Sequence, residues 1–148
     1  MYCLLKITKS ENKMHYFSKL TEYAIRALIV MAGEKYWRMQ VKTICEIDPL
    51  PLHFTRKAMQ ILAQNKILKA YKGPTGGYKL NKKPEEIKLF DVIQIFEPSQ
   101  TSNSCVIGEY HCAPKRPCSL RGLIEVTEKD FIRKLKNISI ADLTYKTF

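Results

Sequence analysis

Apolar positions along the chain fall into five stretches of helical period and one stretch of period two. Around Ser18, the residues Phe17, Leu20, Ala24, Ala27, Leu28 and Met31 recur at three- and four-residue steps and stop at Gly33. That spacing predicts an amphipathic helix with Ser18 as its N-cap and Glu22 in its first turns. Val41, Ile44, Cys45 and Ile47 mark a shorter second helix. It is stopped by Asp48-Pro49-Leu50-Pro51, where proline removes donors and fixes the backbone. A third helix follows at once, with Pro51 suited to its first turn. Leu52, Ala58, Ile61 and Leu62 are expected on its buried face, and His53, Thr55, Arg56, Lys57 and Gln60 on its outer face. Two short helices across a tight turn predict a helix-turn-helix.

Beyond Asn65-Lys66 the period shortens. Ile67–Tyr71 and Tyr78–Leu80 flank Gly73-Pro74-Thr75-Gly76-Gly77, the pattern of a β-hairpin whose adjacent glycines supply positive φ. Lys72 and Lys79 stand at its base. A helix-turn-helix followed by a basic hairpin is a winged helix. Pro84-Glu85-Glu86 opens a further helix with Ile87, Phe90, Val92, Ile93 and Phe96 apolar and its acids near the positive end. A Ser-, Thr- and Asn-rich stretch, Ser99–Ser104, introduces a loop containing Cys105, Cys112 and Cys118, with Pro114 and Pro117 discouraging helix. The last long helix is expected from Ser119 to about Asn137, with Leu120, Leu123, Ile124, Thr127, Phe131 and Leu135 along one side. Its stripe needs a cover, supplied either by the first helix of the same chain or, more economically, by a second copy in a symmetric dimer.

The expected fold is therefore mainly α with a small β-hairpin wing: a winged helix-turn-helix and a long C-terminal dimerisation helix. Four parts follow: an N-terminal extension at 1–15, a DNA-binding domain at 16–98, a cysteine-rich sensor loop at 99–118, and the dimerisation helix with its tail at 119–148. The extension shows no sustained period and carries no functional expectation. Trp37 is expected to cap the core where the first helix ends.

Charge sharpens this picture. The 148-residue chain carries a formal +11, and the excess is concentrated: residues 16–83 hold 13 Lys and Arg against 4 Asp and Glu, while residues 84–148 hold 9 of each. A concentrated field on the winged-helix part suits double-stranded DNA, although a solvated basic surface or an anionic membrane surface would share that charge. Arg56 can fork onto guanine and Lys57 can reach guanine or phosphate, so His53, Thr55, Arg56 and Lys57 are the candidate base-reading set. Lys72 and Lys79 would grip the flanking backbone. No apolar run approaches the ~20 residues that span a bilayer, and Met1–Lys13 lacks the core and cleavage site of a signal peptide, so a cytoplasmic protein is expected.

Five cysteines in a cytosolic chain point to metal or redox chemistry before disulfides. Cys105, Cys112 and Cys118 are separated by six and five residues, unlike the paired spacing of a zinc finger. On spacing alone, an iron–sulfur cluster, zinc, redox thiols and no chemistry all remain open. Cys45 reads as a small apolar residue of the second helix, Cys3 as idle, and His111 as a solvated loop residue that could also ligate. An enzyme is not expected, because the chain offers no Cys-x-x-Cys pair, glycine-rich nucleotide loop or acid–base constellation.

Three segments in order, Leu20–Leu28, Lys72–Leu80 and the three-cysteine loop, resemble the Rrf-type winged-helix transcription regulators, a family that includes IscR-like and NsrR-like iron–sulfur sensors. The likeness covers about residues 16–143, with Ile138–Leu143 similar to the segment closing the family's dimerisation helix. The resemblance implies a homodimer on a palindromic operator, with an iron–sulfur cluster on Cys105, Cys112 and Cys118 and a fourth ligand that varies between members. IscR-like members place a histidine where this chain has Arg121. NsrR-like members use an aspartate of the first helix from the other subunit, and the matching position is Glu22, proposed here as the fourth ligand in trans. The competing reading pairs Glu22 with Arg26 on the same helix. Cluster nuclearity, two-iron or four-iron, stays open. His53, Arg56 and Lys57 do not reproduce IscR side chains, so the operator sequence does not transfer, and Lys72 replaces a usual wing arginine. Repression by the loaded form is the expected sense of the switch. Thiol oxidation or a structural zinc on the same regulator is the alternative.

Overall fold

The structure, a computed structural model, describes residues 17–34, 38–97 and 119–144. The expected extension at 1–15, Trp37, and the loop with its three cysteines and His111 lie outside these residues. The described chain runs α1 (Lys19–Gly33), α2 (Val41–Ile47), α3 (Leu52–Gln64), β1 (Leu68–Tyr71), β2 (Gly77–Leu80), α4 (Leu89–Phe96) and α5 (Ser119–Asn137). Short 3-10 turns occur at Pro84–Glu86 and Ala141–Leu143. No described helix is long and apolar enough to cross a membrane.

Helix α1 starts where its cap requires. The Ser18 hydroxyl accepts from the Thr21 amide at 3.3 Å, and the Glu97 carboxylate, at the end of α4, accepts from both the Ser18 amide and the Thr21 hydroxyl at 2.7 Å. A carboxylate set against the first amides of a helix satisfies orphan donors and complements the helix dipole. These bonds hold the Glu97 carboxyl below its ordinary range, with the Ser18 amide the largest cause. The same contact lets Thr21 be fully buried without an unsatisfied hydroxyl.

The core forms where α1, α2 and α3 meet the wing. Ala24, Ala27, Leu28, Ile44, Ala58, Met59, Leu62, Leu68, Ile87, Val92 and Ile140 are its centre. Alanines at the α1 and α3 contact let the two helices approach closely while Leu28, Met59 and Leu62 fill the space between elements. The buried face of α3 differs from the expected one. Leu52 is exposed and Ile61 half-buried, while Thr55, Ala58, Met59 and Leu62 face inward. Those four keep the i, i+3, i+4, i+7 spacing of a single face, which the mixed set containing Leu52 does not.

The hairpin forms as expected, with Leu68 opposite Leu80 and Tyr71 opposite Gly77. Positive φ falls on Gly73 and Gly77, rather than on both members of the Gly76-Gly77 pair. Gly77 is also a point of close backbone approach: a Cβ there would lie 2.5 Å from the Met39 carbonyl oxygen. That approach lets Met39 and Tyr78 exchange backbone hydrogen bonds of 2.9 and 2.8 Å, so β2 is fastened on one side to β1 and on the other to the strand-like residue before α2.

The single helix expected after Pro84 is interrupted. Its chain extends at Ile87 and Lys88, where Ile140 donates to Ile87 and Leu89 donates to Ile138, both at 2.9 Å. This pairing docks the end of α5 beneath α4 and makes a second small cluster of Leu89, Ile93 and Leu135, flanked by Phe17 and Ile138. Helix α5 itself has the expected bounds. Towards its start it leaves Leu120, Leu123 and Val126 open to solvent.

Candidate nucleic-acid interface and sensor residues

On α3 the side chains His53, Phe54, Arg56, Lys57 and Gln60 are exposed, and the helix contains no acidic residue. Thr55 corrects the sequence-based assignment. It is fully buried and its hydroxyl donates to the Pro51 carbonyl at 2.9 Å, so it closes the first turn from the core side and cannot reach a base edge. A buried threonine is tolerated because the Pro51 carbonyl, which also accepts the Thr55 amide at 3.0 Å, takes the hydroxyl proton on its second lone pair.

The wing stands beside this face. Burial raises the Tyr78 phenol pKa, and the nearby Arg56 charge partly offsets the shift. Lys72 is exposed and Lys79 half-buried. The register sets Lys69 directly opposite Lys79, and Lys69 and Arg38 lie 5.5 and 5.2 Å from the Tyr71 ring centroid. Like charges facing across a hairpin are unfavourable on their own, and the Tyr71 ring offsets part of that repulsion through its π face. Lys69 and Arg38 were missed from sequence. Period-two alternation already set Lys69 on the Tyr71 side, whereas the approach of Arg38 depends on the Met39–Tyr78 bridge.

Of the proposed ligands, only Glu22 lies within the described residues. It sits on α1 with its side chain 40% exposed, accepting from Lys19 at 2.8 Å and facing Arg26 at 3.5 Å. The Lys19 hydrogen bond is the largest cause holding its carboxyl below the ordinary range. The pairing with Arg26 weighed against a ligand role is thus present within one chain. Arg26 in turn forks onto Asp48, its Nε donating to Oδ2 at 2.8 Å and its second amino group to Oδ1. Glu22, Arg26 and Asp48 therefore form a charged relay from α1 to the turn before α3. Cys45 is half-buried against the core, as expected. Among the described residues no group of three or more His, Cys, Asp or Glu side chains gathers to hold a metal.

The Rrf2 family model, described as iron-dependent transcriptional regulator, matches residues 17–146. The chain belongs to the Rrf2 family. It is a transcriptional regulator of that family, and the fold order of helix-turn-helix, hairpin and long last helix agrees with its winged-helix members. A candidate HTH-type transcriptional regulator of Aquifex aeolicus is 27% identical over 129 residues, covering 86% of this chain and 90% of the relative. Among solved structures, the global cysteine regulator CymR of B. subtilis superposes with a TM-score of 0.71 at 20% identity, over 91% of this chain and all of that one. IscR of T. potens superposes with a TM-score of 0.65 at 23% identity, over 85% and 83% of the two chains. At these identities the structural neighbours establish the Rrf2 fold alone.

Proposed function

We propose that this Rrf2 regulator is a homodimeric repressor of a palindromic operator, and that an iron–sulfur cluster sets its affinity. The observation that carries the DNA reading is α3, which turns His53, Arg56 and Lys57 outward without an acid among them, beside a wing bearing Lys72 and Lys79. Arg56 and Lys57 read or bind through guanine and phosphate, and the wing lysines hold the flank. The dimer is supported by Leu123 and Val126, left 64% and 68% exposed on α5. An apolar helix face of that kind is covered when two copies cross, and a twofold dimer reads a twofold sequence.

The donor chemistry fits a cluster: three thiolates from Cys105, Cys112 and Cys118, and one ionised, accessible carboxylate from Glu22 of the partner subunit, make four ligands of mixed softness. When bound, the cluster supplies redox and oxygen sensitivity. The chain's own part is positional. Glu22 would have to give up Lys19 and Arg26 to serve the other subunit, which would leave Arg26 its fork onto Asp48 at the turn that precedes α3. A regulator shifts its operator affinity only through such a difference between two states.

Anaerobic purification with an absorption spectrum and iron, sulfide and zinc analysis tests the proposal on the wild type and Cys112→Ala. Brown protein with near-stoichiometric iron and sulfide, lost in the variant, supports it. Colourless protein sinks the cluster. The second reading keeps the same regulator and uses the three thiols directly. Its support is the likeness in fold to the B. subtilis global cysteine regulator, and free thiols without metal in the same experiment favour it. Four-coordinate zinc instead marks a structural site.

A further inference from the structure

Phe54 leaves 53% of its surface in solvent. It lies in the first turn of α3, between His53 and Arg56, in a helix with no acidic residue. Its ring is braced from two directions. Tyr23 of α1 meets it at 6.2 Å between centroids, and His53 meets it edge-on at 5.7 Å. A braced aromatic ring has already lost much of its side-chain freedom, so further burial against a partner adds little ordering cost.

The surroundings decide what such a partner is. An apolar protein surface would have to accept His53, Arg56 and Lys57 beside the ring, and burying those groups without acids costs free energy. Duplex DNA accepts the cations and also offers one apolar group in its major groove, the C5 methyl of thymine, which phenylalanine is chemically suited to contact. The first turn of the second helix of a helix-turn-helix is the part that meets base edges.

We propose that Phe54 determines specificity by packing its ring on a thymine methyl in each operator half-site. This deepens the reading of α3 as the recognition helix and rests on it. Arg56 and Lys57 act through hydrogen bonds and charge, whereas Phe54 separates thymine from cytosine by shape and from uracil by the methyl alone.

The test uses full-length protein and the operator that the wild type selects from a random duplex pool. Each thymine is replaced, symmetrically in both half-sites, by deoxyuridine, which keeps the base pair and removes only the methyl. Fluorescence anisotropy should find one symmetric pair whose replacement weakens binding on the order of tenfold, the loss of two buried methyl groups. Phe54→Ala should bind the thymine and uracil duplexes equally, and Phe54→Leu should keep part of the difference. Uracil without effect at every position, or an undiminished effect in Phe54→Ala, overturns the proposal. The wild-type scan needs no variant to fold. A selected operator that depends on Arg56 yet ignores every thymine methyl overturns Phe54 alone. A pool that yields no preferred sequence overturns the recognition helix and Phe54 together.

Discussion

Helices α3 and α5 are both amphipathic, yet the first is covered within the chain and the second is largely left open. Of 13 residues in α3, Thr55, Ala58, Met59 and Leu62 are fully buried within one chain. Of 19 residues in α5, Leu135 is the one with a buried side chain among those described, and it sits near the end that docks under α4. Helix α3 is thus completed by its own chain, while the long last helix leaves Leu120, Leu123 and Val126 open to solvent, the face proposed above to be covered by a second copy. A helix finished internally keeps its geometry whatever the oligomeric state. A helix finished by a partner ties its order to concentration.

Met59→Ala strikes the closed region. Met59 is fully buried in the main core cluster, and its loss should lower unfolding free energy by about 2–5 kcal/mol, measured by denaturant titration. Leu123→Asp with Val126→Asp strikes the open one. Sedimentation should give monomers, the melting temperature should stop depending on protein concentration, and operator affinity should fall on the order of a hundredfold as the two half-sites are no longer linked. If the double variant remained dimeric, α5 would not be the shared face.

Arg56→Ala sharpens the contrast, because it should leave unfolding unchanged while costing about 1–3 kcal/mol of discrimination in competition between operator and random duplex. The smallest expected effect belongs to Glu97→Gln, about 1 kcal/mol of unfolding free energy from a weakened, part-exposed cap. The glutamate's folded pKa is lowered, so its contribution is present above the ordinary glutamate value of about 4.3 and is lost as pH falls through the lowered one. Wild type and Glu97→Gln should therefore converge in stability on acidification, as read by thermal melts between neutral and acid pH.

The sequence was most readable where local chemistry decides. Ser18 caps α1, Gly33 ends it, and the two prolines around Leu50 separate α2 from α3, as spacing predicted. It misled where polar and apolar residues share a face: Thr55 looks outward by residue type, but the Pro51 carbonyl satisfies its hydroxyl and admits it to the core. It was silent where the partner is distant. The break before α4 exists because Ile87 and Leu89 bond to residues near 140, and the α1 cap is completed from Glu97, 76 residues beyond Thr21. For the candidate site, charge asymmetry and the outward Arg56 and Lys57 were legible, whereas the Arg26–Asp48 fork and the bracing of Phe54 depend on how α1 crosses the other helices.

The Met39–Tyr78 bridge has one more consequence. A wing whose inner strand, β2, is paired on both sides is tied to the body at the residue before α2 as well as through β1. If α3 and the wing both meet the duplex as proposed, sites that keep both contact sequences but add a base pair between them should bind more weakly, because the Met39–Tyr78 bonds oppose the shift needed to follow the extra rise of the double helix.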